Sequence, residues 1–326
     1  MSLESIIGQP LAVDLVRRWL DRQTTQPLLF YGPEGVGKRR LALELAKALN
    51  CATGKGCEGC ASCRKIGAGH HPDVRVLDMA WQASERGEPL AKQQALRIET
   101  LLSERRRLYQ TSLEGRWKVG ILDDAHRLTA DAANVLLKVL EEPPDHTAII
   151  LVTPYQDRLF QTIVSRCQIV RFRPLSSDEM RACLRGLGMD PQTLTRMIEL
   201  ALGSPGRALH ASREEQVQAH AEAEALWESL GLAAPATLLS RADGRSKAVK
   251  PGRAEMEDRL RALLVPASRS LRQGDSRAPE SVRLIEDALE QLRQNVQPAL
   301  VYDYALLKLA RQRRPAEPAE ATRRGG

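Results

Sequence analysis

A glycine-rich run at residues 32–39 has the residue types and spacing of a phosphate-binding loop. The run reads Gly32, Pro33, Glu34, Gly35, Val36, Gly37, Lys38 and Arg39, which fits G-x-x-x-x-G-K. Glycines let backbone N–H groups wrap a phosphate, while the following helix N-terminus and Lys38 favour negative charge. The alternative is an ordinary glycine-rich turn. The predicted strand before the run and helix after it favour the phosphate loop.

Two positions depart from the pattern of a working ATPase. The residue after the loop lysine normally carries a hydroxyl that ligates magnesium, and here it is Arg39, which would repel the metal unless its side chain turns away. Asp123, at the end of a predicted strand, has the position of a metal-orienting carboxylate. Asp124 follows where a longer Glu would hold the attacking water, and a shift of about 1 Å can cost on the order of a hundredfold in rate. The sequence therefore predicts poor or no ATP hydrolysis, although both aspartates could also be a solvated strand end.

Four of the six cysteines lie within thirteen positions, spaced C-x5-C-x2-C-x2-C. They are Cys51, Cys57, Cys60 and Cys63. Four thiolates at this spacing suit tetrahedral Zn²⁺ with no open position, which predicts a structural metal site. An iron–sulfur cluster and unligated thiols are the alternatives. His70 or His71 could replace one ligand, but the pair is expected to face solvent.

The elements around these motifs alternate between strands and helices. Strands are predicted at 27–31, 74–77, 118–122, 148–152 and 168–172, with helices at 39–50, 93–110 and 129–140. This order predicts a parallel, doubly wound α/β layer over residues 1–173. Beyond it the pattern is helical, as short helices over 174–212 and longer ones over 213–312. The composition of 313–326 predicts a disordered tail.

Composition excludes several classes of protein. The chain has 326 residues, enough for two or three domains, and only 4% aromatic residues, which favours helices over sandwiches or barrels. No apolar run approaches the roughly 18 residues of a membrane span. The first ten residues lack the features of a secretory signal, so a cytoplasmic protein with reduced cysteines is expected. The net charge of +7 permits an acidic partner such as nucleic acid without requiring one.

Taken together, these motifs resemble those of the bacterial clamp-loader AAA+ proteins of DNA polymerase III. The resemblance runs nearly end to end and is weak only over about 213–312. In chain order it comprises IGQ at 7–9, the phosphate loop, the cysteine module at 51–63, HPD at 71–73, LDDAH at 122–126, AANVLLKVLEEPP at 132–144, SRC at 165–167 and GSPGRA at 203–208.

The resemblance implies an AAA+ P-loop domain over 1–173, a helical lid over 174–212 and a helical collar over 213–312. It further implies that Arg166 is an arginine finger reaching the ATP of a neighbouring gamma or tau subunit. Thr153 would be the first sensor, with a strand-end cap as the alternative. Arg207 would be the second sensor, or a structural residue if the chain's own site is inactive. ATP or ADP binding is possible but not required by these residues.

The implied partners are the gamma or tau and delta subunits of a five-subunit ring, the sliding clamp and primed DNA, with no membrane. Such a chain would be a component of the DNA-directed DNA polymerase III holoenzyme without its own ATPase activity. Arg39 and Asp124 favour this non-hydrolysing role over a hydrolysing gamma or tau type. A third hypothesis is that the chain is a zinc-dependent DNA-binding protein. The scattered basic residues and the few aromatic residues give it little support.

Overall fold

The structure is a computed structural model that describes residues 3–187, 191–211, 214–230, 253–292 and 297–313. The chain divides into two compact units, residues 1–209 and 210–326. The first contains a five-stranded parallel sheet with the order β2-β3-β4-β1-β5. The strands are β1 (Leu28–Tyr31), β2 (Val74–Leu77), β3 (Lys118–Leu122), β4 (Thr147–Thr153) and β5 (Gln168–Arg171).

Ten helices in the described part of the chain begin in the first unit. They are α1 (Pro10–Asp21), α2 (Lys38–Asn50), α3 (Ala61–Gly67), α4 (Met79–Arg86), α5 (Ile98–Leu108), α6 (Ala130–Glu141), α7 (Gln161–Val164), α8 (Ser177–Leu184), α9 (Pro191–Ala201) and α10 (Pro205–Ala211). Short 3-10 turns lie at Leu3–Ser5, Leu90–Lys92, Ala125–Arg127 and Arg185–Leu187.

The sheet separates two hydrophobic cores, as expected when helices cover both faces of parallel strands. Because side chains alternate along a strand, Leu28 and Phe30 of β1 enter the core that includes α1, α2 and α8. Leu29 enters the other core, with residues of α5, α6 and α7. This explains why β1 is a continuous apolar run instead of an alternating one.

Side-chain caps determine where several of these helices begin. The Thr129 side chain accepts a hydrogen bond from the N–H of Ala132 at the start of α6. Ser176 and Glu179 form a reciprocal capping box at the start of α8. At the start of α4, the Asp78 side chain accepts a single hydrogen bond from the N–H of Trp81. These caps fix the turns that follow the sheet strands.

In the second unit, the described residues form helices joined by turns, and no strand is among them. Its helices are α11 (Glu214–Ser229), α12 (Arg253–Arg272), α13 (Ala278–Leu292) and α14 (Pro298–Arg313). Helix α12 packs against the other three. The predicted tail at 313–326 lies outside the described residues except for Arg313, the last residue of α14. Among the residues described, no helix combines the length and apolar character that a membrane crossing requires.

The segment between β2 and β3 differs from the sequence prediction. A helix was predicted over 93–110, but α5 begins at Ile98, and α4 lies before it. The buried Gln82 of α4 holds the intervening residues, since its side chain donates to Ala95 O and accepts from Arg97 N. An isolated parallel bridge between Leu96 and Leu128 adds a further tie. These contacts keep 93–97 extended, so the prediction placed the helix start too early.

Candidate nucleotide site and metal module

The phosphate loop joins β1 to α2 and closes around its own lysine. Gly32, Gly35 and Gly37 have φ values of 141°, 72° and 102°, which favour glycine over residues with a side chain. Lys38 Nζ donates to the carbonyl oxygens of Gly32 and Pro33, each at 2.6 Å. Burial lowers the pKa of Lys38 to about 8, although Asp123 opposes the shift. The loop backbone therefore encloses a buried ammonium group.

Arg39 turns toward the carboxyl ends of two neighbouring strands. Its Nη1 lies 2.7 Å from Asp78 Oδ2 and 3.4 Å from Asp123 Oδ2. Asp78 directly follows β2 and Asp123 directly follows β3, and the two strands are paired in the sheet. A guanidinium thus lies between two carboxylates at the carboxyl edge of the sheet, where phosphate-loop ATPases hold their metal ion. Asp78 was not among the predicted site residues.

Asp123 and Asp124 share a strained turn at the end of β3. Asp124 has φ 54°, in the left-handed region that Asp tolerates better than most residues, and its N–H donates to Asp123 Oδ1 at 3.0 Å. Its carboxylate lies 3.9 Å from the guanidinium of Arg127. Burial raises the pKa of both carboxyl groups, and Arg39 partly offsets the shift at Asp123.

Thr153 ends β4 and is fully buried. Its hydroxyl donates to Tyr155 O and accepts from Tyr155 N, both at 3.0 Å, and lies 3.3 Å from His126 Nδ1. The His126 ring packs edge-on against Tyr155, with 5.3 Å between ring centroids. Thr153 pairs in register with Tyr31, so it lies beside the strand that leads into the phosphate loop. In this geometry its hydroxyl caps the strand end.

The segment that begins α10 packs directly on the phosphate loop. Ser204 Oγ donates to Glu34 O at 2.8 Å, and Gly206 N donates to Gly35 O at 3.0 Å. A Cβ on Gly35 would lie 2.3 Å from Ser204 Oγ, so this approach requires glycine. Sequence reasoning missed Ser204 and Gly206, although the Gly-Ser-Pro-Gly run is itself a signal for a tight turn.

Two further side chains complete the surroundings of the loop. Arg207 follows the contact segment, and its positive charge contributes to lowering the pKa of Lys38. Gln9 links the loop to the connection between β5 and α8, since its side chain accepts from Arg173 N at 3.1 Å and donates to Arg173 O at 2.7 Å. The same amide donates to Val36 O at 3.5 Å. The fold thus places residues from the run at 7–9 and from the run at 203–208 around the phosphate loop.

Arg166 lies away from the loop, between α7 and β5. Its guanidinium pairs with Glu141 Oε1 at 2.6 Å and donates to Thr162 O at 2.9 Å. The Arg166 side chain is 36% exposed. The structure therefore does not bring Arg166 together with this chain's own phosphate loop, and its charge is accessible at the surface.

The four clustered cysteines converge on one point. Their sulfur atoms all lie within 4.8 Å of one another, and Cys51 Sγ is 4.0 Å from Cys60 Sγ. A tetrahedral zinc with bonds of about 2.3 Å separates its sulfurs by about 3.8 Å, close to this arrangement. Backbone N–H groups of Cys57, Cys60 and Cys63 donate to cysteine sulfurs at 3.3 to 3.4 Å, a contact that favours thiolates. The four residues can therefore hold a metal ion.

The adjacent histidines do not join this cluster. His70 is exposed, but His71 is buried, so the expectation that both face solvent was wrong for His71. His71 Nδ1 accepts from Asp73 N at 3.1 Å and so caps its own turn. Burial lowers the pKa of His71, which favours the neutral ring.

A support loop, residues 113–117, connects the region of the cysteine module (51–63) to the sheet. The buried Asp73 carboxylate accepts from the N–H groups of Leu113, Glu114 and Gly115 at 2.7 to 3.1 Å. Glu114 in turn pairs with Lys65 of α3 at 2.5 Å. This network was not predicted, because it depends on residues that are distant in sequence.

The same loop is held from a second side by Asn50, the last residue of α2. Its side chain accepts from Arg116 N and Trp117 N at 2.8 and 2.9 Å, and it donates to Trp117 O at 3.0 Å. Since Cys51 follows Asn50 directly, the hydrogen bonds of Asn50 also fix the position where the cysteine module begins.

The sheet order, the phosphate loop between β1 and α2 and the helical segment packed on that loop define an AAA+ fold. A DNA polymerase III gamma subunit-related protein from Thermotoga maritima has the same fold, with a TM-score of 0.51 and 16% identity over 93% of this chain and 100% of that one. The family described as DNA polymerase III, delta subunit, matches residues 8–176. This chain belongs to that family.

Individual relatives agree with the family match. The chain is 32% identical to DNA polymerase III subunit delta' of Bacillus subtilis over 211 residues, which are 64% of this chain and 60% of that one. It is 34% identical to subunit delta' of Pseudomonas aeruginosa over 205 residues, 60% of each chain. Subunit tau of Escherichia coli is 32% identical over 56% of this chain and 28% of its own length. The chain thus spans about 60% of the delta' relatives that it matches.

Proposed function

We propose that this chain is a delta'-type subunit of a bacterial replicative clamp loader that does not hydrolyse ATP itself. The observation that carries the proposal is the Arg39 guanidinium lying between Asp78 and Asp123. A hydrolysing site needs the strand-end carboxylate for its metal ion and a hydroxyl beside Lys38. In this chain the carboxylate is paired with Arg39, and Arg39 replaces the hydroxyl.

In the proposed assembly, Arg166 serves the ATP of a neighbouring gamma or tau subunit. It is accessible, and it lies at a distance from this chain's own loop, between α7 and β5. Glu141 pairs with it in the free chain, so Glu141 competes with the phosphates of a neighbour for the same guanidinium. A guanidinium placed there would stabilise the negative charge that develops on the transferred phosphoryl group.

The contacts between the lid segment and the phosphate loop support a stator role. The hydrogen bonds from Ser204 and Gly206 occupy two carbonyl groups of the loop. The close approach of Ser204 to Gly35 leaves no room for a side chain at position 35. Such contacts hold the loop in one conformation without a bound nucleotide. A subunit held in this way would act as a fixed arm beside subunits that move as they hydrolyse ATP.

We also propose that the metal held by the four cysteines is Zn²⁺. The short distances between the four sulfurs and the all-sulfur donor set suit zinc, and four protein ligands would leave no position for a substrate. Its role would be structural, since the ion would fix the segment between α2 and α3 against the support loop.

The proposed partners are the gamma or tau and delta subunits of a five-subunit ring, together with the sliding clamp and primed DNA, in the cytoplasm. Delta' and tau relatives both match this chain, which supports membership of the same assembly. The ring would open the clamp and place it at a primer junction, with this chain contributing an interface and a finger.

The test is steady-state ATP hydrolysis by the isolated chain and by rings assembled with wild-type, Arg166→Ala or Arg171→Ala protein. Arg171 is an exposed arginine on β5 and serves as the matched control for charge. We expect no turnover by the isolated chain, and about 10³-fold or greater slowing of the one ring site that Arg166 serves. The ATPase rate of the whole ring then falls by the fraction that this one site contributes, while Arg171→Ala leaves the rate unchanged. Turnover by the isolated chain would instead show a hydrolysing gamma or tau type.

A further inference from the structure

The position of Arg39 bears on how the loop could hold a phosphate group. Its side chain is half exposed, at 48%, yet its Nη1 is fixed by two carboxylates from adjacent strands. Asp78 is itself held, because its other oxygen caps α4 by accepting from Trp81 N at 2.7 Å. The guanidinium therefore has a defined place beside the loop and is not a freely moving surface group.

Magnesium does not fit these residues. It prefers six oxygen ligands in near-ideal octahedral geometry. Residue 39 offers no oxygen, and both oxygens of Asp123 are engaged, Oδ2 by Arg39 and Oδ1 by the N–H of Asp124. A metal ion at this edge would also lie against the positive charge of Arg39, which opposes its binding.

A phosphate group, in contrast, does fit the donors that are present. The loop presents backbone N–H groups at the N-terminus of α2, a helix of 13 residues, with Lys38 at its start. A guanidinium has five N–H donors, so the bonds from Nη1 leave others for phosphate oxygens. The charge of Arg207 also acts on this loop, as its effect on Lys38 shows.

We propose that Arg39 stands in for the divalent cation, so that this loop binds the diphosphate end of a nucleoside diphosphate without a metal ion. Asp78 and Asp123 are then positioning residues that orient Arg39. The proposal rests on the proposed function only in treating the loop as a non-hydrolysing nucleotide site. It assigns to this site a ligand class that differs from the magnesium–nucleotide complex of the hydrolysing type.

The test measures binding of ADP carrying an N-methylanthraniloyl fluorophore to the full chain, once in magnesium buffer and once in EDTA. For the wild-type chain we expect about the same dissociation constant in both buffers. Arg39→Ser should bind at least about tenfold more weakly in EDTA, since charge-assisted bonds to phosphate are lost, and magnesium should restore part of the affinity. Arg40→Ser, at the exposed neighbouring arginine, should behave as the wild-type chain.

A second variant guards against misfolding. Arg39→Lys keeps the charge but loses the planar fork, so its affinity in EDTA should lie between those of the wild-type chain and Arg39→Ser. Circular dichroism and melting curves check that each variant is folded. Absence of binding by the wild-type chain in both buffers overturns the proposal, as does binding that requires magnesium. Neither result affects the ring assay, which tests the proposed function separately.

Discussion

Asp73 is the residue through which the sheet holds the support loop, and Asp73→Asn is the sharpest test of that arrangement. The carboxylate is fully buried between β2 and the loop, and it also lies 3.7 Å from the buried ammonium of Lys118. An asparagine in the same place keeps one oxygen, which can still accept from Glu114 and Gly115 and, at 3.1 Å, from Leu113. Its NH2 group would then face the N–H of Leu113 and the ammonium of Lys118, both donors.

The expected loss follows from those contacts. The hydrogen bond to Oδ1 is removed, the three bonds to Oδ2 lose their charged acceptor, and Lys118 loses the carboxylate with which it pairs, for a total of about 3 kcal/mol in the free energy of unfolding. For a unit of about 200 residues, this corresponds to a lowering of the melting temperature by roughly 6–12 °C. Asp145→Asn makes the same chemical change at an exposed position and should lower the melting temperature by no more than about 2 °C.

The same residue predicts a dependence on pH. Burial acts to raise the pKa of Asp73, but the backbone N–H donors and Lys118 outweigh it, and the net pKa lies below the ordinary value of 3.8. A carboxyl group with a lowered folded-state pKa contributes stability that is present above its unfolded value and is lost as pH falls through the folded value. Calorimetry from pH 7 to acid should therefore show a flatter decline for Asp73→Asn. A melting temperature within about 2 °C of wild type at pH 7 would refute the assigned role.

Three further predictions concern the sheet, the cysteine module and the proposed arginine finger, Arg166. Gly120→Ala should destabilise the fold by about 1–3 kcal/mol in urea titrations, because the new Cβ would lie 2.8 Å from the buried Glu104 Oε1; an unchanged midpoint would contradict this packing. Mercurial titration with a zinc indicator should release one equivalent of metal per chain, lost in Cys57→Ser and retained in Cys167→Ser; equal release from both variants would count against the module. Glu141→Gln should raise the ATPase rate of assembled rings by less than about fivefold, since an exposed ion pair competes only weakly; a fall in rate would show that Glu141 positions the finger.

Local signals predicted the elements that bear the site. The apolar run at 28–31 and the glycines of the loop each specify structure within a few residues, and both features are present in the structure. The cysteine spacing likewise placed four sulfurs together without knowledge of the fold. Patterns of this kind are readable because their physical cause is contained in neighbouring residues.

The remaining contacts depend on which strands become neighbours, and the sequence does not state this locally. Asp78 could be interpreted as a helix cap alone. Its pairing with Arg39 exists because β2 lies beside β3, so that Asp78 and Asp123 follow the carboxyl ends of adjacent strands. The contact of Ser204 with the loop joins residues 170 positions apart.

The strand order has a consequence for how the protein folds as it is synthesised. β1 lies between β4 and β5, and its first residue, Leu28, pairs with Ile150 and Gln168. This apolar interior strand therefore leaves the ribosome long before either of its partner strands exists. Pairings of such long sequence separation form slowly, and an unpaired apolar strand is prone to associate with other chains in the meantime. The cysteine module, whose four cysteines lie within thirteen residues, can close around a metal ion during that interval, and it would then hold the end of α2 in place until the sheet is complete.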